Sequence, residues 1–162
     1  MKIVKYLSIV LALGLILCVF TACGENNTNN GSANPVVQYN SVEEAVQVVG
    51  HLCPLPSIYE RYNKEASVID NKLIQIVYSD DQDGILVLRE QRGTEKDISG
   101  VYGEYAYNEI IKVDDVDVNV RGESGDSIEL VTWNDGAYAH SISYKQGHSL
   151  EEVTDVVKEI NG

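Results

Sequence analysis

The spacing of apolar side chains changes several times along the chain. Tyr6 to Phe20 form an apolar run broken only by Ser8 and Gly14, and residues 24–39 are then mostly polar and rich in Asn, Gly and Ser. Val42, Ala45, Val46 and Val49 follow at helical spacing, between Ser41, with Glu44 three positions on, and Gly50. That is the pattern of a capping box, one apolar helix face and a glycine stop. Pro54 and Pro56 flank Leu55 and forbid helix there, so the chain must run extended. From Ser67 the period becomes two. Strands are predicted over 66–69, 73–78, 85–90, 102–107, 116–121, 128–133 and 138–144, each bounded by Gly, Asp, Asn or Ser. The clearest alternates Val116, Val118 and Val120 with Asp117, Asn119 and Arg121. Ser149 and Glu152 open a second helix whose stripe is Leu150, Val153, Val156, Val157 and Ile160, and Gly162 follows its last turn.

Short strands joined by short turns imply antiparallel pairing. The expected fold is α+β: a twisted antiparallel sheet of six or seven strands, the C-terminal helix on one face and the short N-terminal helix near an edge or end. Asp135-Gly136 is the strongest turn signal, because a primed hairpin turn needs positive φ. Centred there, it pairs Trp133 with Tyr138, Val131 with His140 and Glu129 with Ile142 on one face.

The first residues change the picture from a bare domain to an exported one. Lys2 and Lys5 precede the apolar run, and the small residues Thr21 and Ala22 precede Cys23. This is the order of a secretory signal, and the run is short of the roughly 20 residues a spanning helix needs. Phe20-Thr21-Ala22-Cys23 resembles the lipobox of bacterial lipoproteins, with Phe20 where Leu is usual. Residues 1–22 are expected to be a signal peptide cleaved between Ala22 and Cys23, with Cys23 carrying the lipid. Residues 23–40 would be a flexible tether, and 41–162 a single globular domain. Removing 22 residues from 162 leaves 140, enough for one core. It also leaves 10 basic residues against 25 acidic, a net charge of −15. This excludes nucleic acid and anionic lipid headgroups as expected partners.

Candidate chemistry is sparse. With Cys18 in the leader and Cys23 acylated, Cys53 is left without a disulfide partner and is expected to be a partly buried structural thiol. His51 could act as its base only if residues two apart met usefully. His140 is read as a core-edge histidine beside the hairpin cluster, against a pH-sensing or ligand role. His51, His140 and His148 show no metal-ligand spacing. Ser79, Asp81, Asp83, Gly84 and Glu90 partly fit a calcium loop, but the flanks alternate as strands, so an acidic hairpin loop is expected instead. Asp114, Asp115 and Asp117 show no sign of the desolvation that paired catalytic acids need. No catalytic residue, metal or cofactor is expected.

The Val42–Val46 helix, Gly50, Pro54-Leu55-Pro56, the long meander, the hairpin from Trp133 to Tyr138 and the helix opening at Ser149 occur in one order. In that order the chain resembles the bacterial family catalogued as domain of unknown function 4367, over residues 41–162. The resemblance implies an exported or membrane-tethered protein of Gram-positive bacteria and assigns no chemistry. The expected function is a non-catalytic binding or interaction module on the outer face of the cell membrane. It would be held there by its N-terminal lipid and take a protein, peptide or envelope ligand. The alternative is an extracytoplasmic sensing or accessory module of a membrane-bound regulator. Ten tyrosines against one phenylalanine allow a tyrosine-lined surface at Tyr102, Tyr105 and Tyr107, or tyrosines rimming an ordinary core.

Overall fold

The computed structural model describes residues 36–80 and 84–162. The signal, cleavage and lipidation positions, Asp81 and Asp83 lie outside the described residues. The elements are β1 (Val36–Tyr39), α1 (Val42–Val49), a 3-10 turn (Ser57–Tyr59), β2 (Asn63–Ile69), β3 (Leu73–Ser79), β4 (Gly84–Arg92), β5 (Tyr107–Val113), β6 (Val116–Ser124), β7 (Ser127–Asn134), β8 (Tyr138–His148) and α2 (Leu150–Asn161).

All eight strands lie in one antiparallel sheet, ordered β1-β2-β3-β4-β8-β7-β6-β5. Two four-strand meanders are thus joined where β4 pairs with β8. Sequential neighbours pair through short turns, and this one non-sequential pairing forces residues 93–106 to travel from the middle of the sheet to its far edge.

The two faces divide by strand alternation. On one, the paired rows Val68–Ile74–Glu90–His140–Trp133–Val118 and Ala66–Ile76–Leu88–Ile142–Val131–Val120 form the core floor. All twelve residues are buried. Both helices cover this face, α1 over β1 to β3 and α2 over β5 and β7. Ala45 is the buried point of α1, and Val153, Val156, Val157 and Ile160 are those of α2. Ser41 and Gly50 cap α1 as expected, although Glu44 reaches back to the Asn40 N–H rather than to Ser41. At α2 the Ser149–Glu152 box is complete. The Pro54–Tyr62 stretch runs between the helices on the same face, tied to α2 by the Ser57 N–H donating to Glu159 (2.7 Å).

The opposite face is crossed by residues 93–106. Arg89 donates to the carbonyls of Ile98 and Ser99, and Arg121 pairs with Asp97 (2.7 Å). Ile98, Leu130, Ala139 and Ser141 are buried beneath or within this crossing.

Four sequence expectations change. The sheet has eight strands, not six or seven. Val36–Tyr39 is not tether: its residues pair with Ile69 to Ala66 as an edge strand. Tyr102 to Ala106 lie in the connection, and the strand there is Tyr107–Val113. Aromatic content drew the expected strand, but Gly100 and Gly103 punctuate a segment whose job is to cross the sheet. Finally, the last hairpin turns one residue later. The Asp135 carboxylate accepts the Ala137 and Tyr138 N–H groups (both 2.8 Å), and Gly136 alone takes a positive φ of 100°. Asp135 therefore starts the turn and Gly136 occupies its first central position. Trp133 pairs with His140 and Val131 with Ile142, two positions from the expected register. A shift of two keeps every side chain on its face, so the cluster of Trp133, Val131, Tyr138 and His140 survives with new partners.

Candidate functional site

A group of polar side chains is buried at one end of the helix-bearing face. Its floor is Glu90. In β4 the residues Leu86, Leu88 and Glu90 share a face, so the alternation that buries two leucines also buries the carboxylate, 2% exposed. His140 lies directly opposite on β8, also 2% exposed, its ring stacked on Trp133 at 4.8 Å and 13°. The extended stretch imposed by Pro54 and Pro56 lowers Cys53 onto the same spot. The Cys53 N–H donates to Glu90 Oε2 (2.7 Å), and His51 Nδ1 lies 2.9 Å from Oε1.

Cys53, Glu90 and His140 each place a ligand-type atom within 4.8 Å of the other two. His140 Nε2 is 3.1 Å from Asp135 Oδ2, while Nδ1 is 3.6 Å from Glu90 Oε2 and has no hydrogen-bond partner. Above the group opens a hollow of about 430 Å³, lined by His51, Cys53, Asp135, Tyr138, His140 and Asn161 among others. His51 forms its mouth, 45% exposed and stacked on Tyr138 at 4.2 Å. Asn161 fixes the far wall by accepting from Trp133 Nε1 (2.9 Å).

Burial and then the negative charge of Glu90 push the Cys53 thiol well above its ordinary range. Burial also works against ionisation of Asp135, but the N–H groups of Tyr138 and Ala137 and the His140 ring outweigh it and hold the carboxyl below its usual value. The thiol therefore stays protonated and the aspartate ionised.

The sequence placed Cys53 and His140 as structural residues, and the structure buries both. The sequence does not join them to each other or to Glu90, which it places at the end of the strand over 85–90 and at the last position of a partial calcium loop. Of the described members of that set, Ser79 and Gly84 pair across the β3–β4 hairpin, while Glu90 is buried in the core. Period-two alternation through Leu86 and Leu88 was the signal for Glu90. His51 turns to Glu90 rather than serving the thiol as a base. His148 lies elsewhere, against Tyr144 (4.5 Å) and Glu152 (3.6 Å). Asp117 pairs with Lys112 (3.0 Å), and Asp114 takes φ of 51° in the β5–β6 turn. Asp115 and Asp117 line a larger hollow of about 540 Å³ with Lys96 and Asn119. Tyr102 is 96% exposed, Tyr105 is half-buried, and Tyr107 is half-buried and packs against the edge of the core.

Among the described residues no helix is long and apolar enough to cross a membrane. No family model matches the chain, and no curated protein and no solved structure matches it.

Proposed function

We propose that the protein is a lipid-anchored extracytoplasmic binding module without catalytic activity, and that its recognition site is the hollow above Glu90. The lipobox-like Phe20–Cys23 segment supports the address, as does the resemblance to domain of unknown function 4367, which we propose as its family. One observation carries the choice of site and of function class. Residues 51–54, the β7–β8 turn, the start of β8 and the end of α2 line one hollow, yet the thiol in it faces the Glu90 carboxylate. A nucleophilic cysteine needs a positive neighbour or a base that removes its proton. Here burial and the Glu90 carboxylate hold the thiol protonated, and His51 turns to Glu90 rather than to the thiol, which supports a site that holds something over one that reacts.

The test uses the full chain purified in detergent and immobilised against envelope extract. A partner retained by the wild type and lost on Tyr138→Ala, with unchanged thermal unfolding, supports the reading. Retention by that variant and by His51→Ala would move recognition elsewhere. A hydrolase screen in which Cys53→Ala abolished a measured activity would overturn the non-catalytic reading.

A further inference from the structure

We propose that Cys53 Sγ, Glu90 Oε2 and His140 Nδ1 form a site for one thiophilic divalent cation of the zinc class. The inference rests on reading this hollow as the binding site, and it names what the floor of the hollow holds.

The tautomer of His140 is the starting point. The Asp135 side chain accepts the Ala137 and Tyr138 N–H groups through Oδ1 and presents Oδ2 to His140 Nε2 at 3.1 Å, so the geometry makes Nε2 the donor. Nδ1 is then a bare lone pair, buried without a hydrogen-bond partner and aimed at a carboxylate oxygen 3.6 Å away. Two acceptors facing each other in a dry interior repel, and a buried polar atom left unpaired costs about 1–3 kcal/mol. A cation between them removes both penalties.

Distance and charge fit that occupant. Zinc binds N, O and S donors at about 2.0–2.3 Å, which in tetrahedral geometry separates the donors by roughly 3.3–3.8 Å. The Nδ1–Oε2 separation of 3.6 Å lies at about the upper end for a nitrogen and oxygen pair, and the three donors lie within 4.8 Å of one another, so the thiol closes on the other two as the ion binds. One thiolate and one carboxylate cancel a double positive charge, leaving the buried site neutral. The Cys53 proton leaves to solvent as the Zn–S bond forms. Sulfur and imidazole disfavour calcium and magnesium, which take oxygen donors.

The supporting shell is already in place. Asp135 orients His140, the Cys53 N–H and His51 hold the two oxygens of Glu90, and Trp133 fixes the imidazole plane. Cys53 and His140 both line the hollow, so the fourth coordination position faces open space, where water or a donor atom of a captured ligand fits.

The competing state is an imidazolium shared between Asp135 and Glu90, and cobalt titration separates the two. The full chain in detergent is stripped with chelator, titrated with Co2+ and then challenged with Zn2+. The site predicts one equivalent of cobalt, a thiolate-to-cobalt charge-transfer band in the near ultraviolet, intense tetrahedral bands in the visible, and loss of both on adding zinc. Cys53→Ser should abolish the charge-transfer band. Asp135→Asn, at a partly exposed turn, should keep the fold and weaken cobalt binding about 10–100-fold. A folded wild type with no band, or a band that persists in Cys53→Ser, overturns the proposal. Cobalt bound normally by a Tyr138→Ala protein that still captures its envelope partner would keep the metal site and refute the recognition reading. Capture without any metal binding would do the reverse.

Discussion

His140 Nδ1 and Glu90 Oε2 face each other 3.6 Å apart across the β4–β8 ladder, both side chains 2% exposed and joined by no hydrogen bond. Glu90 nevertheless has structural work, because it accepts the buried Cys53 N–H at 2.7 Å. Glu90→Ala removes that acceptor and leaves the N–H unpaired, at a cost of about 1–3 kcal/mol before any loss of packing. Glu90→Gln keeps one acceptor oxygen and should cost less. Urea midpoints measured for both variants check the order, and equal midpoints would show that the Cys53 N–H does not depend on Glu90.

Acid should weaken the fold through Asp97 and Asp135. Burial opposes ionisation of Asp97, but the Ser99 hydroxyl, Arg121 and the Ser99 N–H outweigh it, so its carboxyl, like that of Asp135, sits below the ordinary 3.8. A lowered folded pKa binds the proton less well than the unfolded chain does. Stability from these groups is therefore full above about pH 4 and falls as pH drops through the folded value. Both side chains are about one-third exposed, so water screens the effect and it stays small. Thermal unfolding from pH 6 to pH 3 should fall less steeply for the Asp97→Asn, Asp135→Asn double variant than for the wild type.

Gly122 sits at the β6 bulge, where the β7 backbone comes close. A Cβ there would collide with the Ser127 carbonyl oxygen, a backbone atom that cannot rotate away. Gly122→Ala should cost at least the roughly 1–3 kcal/mol typical of overpacking. Denaturant unfolding measures it, and a neutral result would mean that β6 and β7 re-register freely.

Replacing Tyr102, Tyr105 and Tyr107 together with alanine should leave a folded domain. Buried aromatic truncations cost about 3–5 kcal/mol each, but Tyr102 is 96% exposed, and the Tyr107 hydroxyl bonds the exposed Glu109 at 3.0 Å. A total loss below about 2 kcal/mol is expected, on the scale of surface substitutions with some packing. A collapse in calorimetry would show that the crossing segment depends on these rings.

Much of this fold was legible because local signals agreed. Ser41 and Gly50 bound α1, Ser149 starts α2, and alternation set the faces of β6, β7 and β8. The edge strands were not. Val36–Tyr39 follows an Asn-rich stretch and is mostly exposed, and Tyr107–Val113 lacks clean alternation because only Val113 is fully buried. The site was hidden for a different reason: Cys53, Glu90 and His140 are far apart in sequence, and the β4–β8 pairing brings Glu90 to His140 while the extended stretch at Pro54 brings Cys53 to Glu90. That pairing skips three strands, and no turn residue encodes it. Of the three, Glu90 was the most readable, since a charged residue in step with Leu86 and Leu88 is a local conflict, and such conflicts gather at functional sites.

Whether the domain works outside the membrane decides every reading of the hollow, since it fixes which ligands and metals can reach it. The most direct measurement is metabolic labelling with a fatty-acid probe, followed by membrane fractionation of the wild type and of Cys23→Ala. The wild type should carry the label and sediment with membranes, while Cys23→Ala should be unlabelled and leave the membrane fraction. Label that persists on Cys23→Ala, or a wild type found unlabelled in the soluble fraction, would contradict a lipid-anchored extracytoplasmic module.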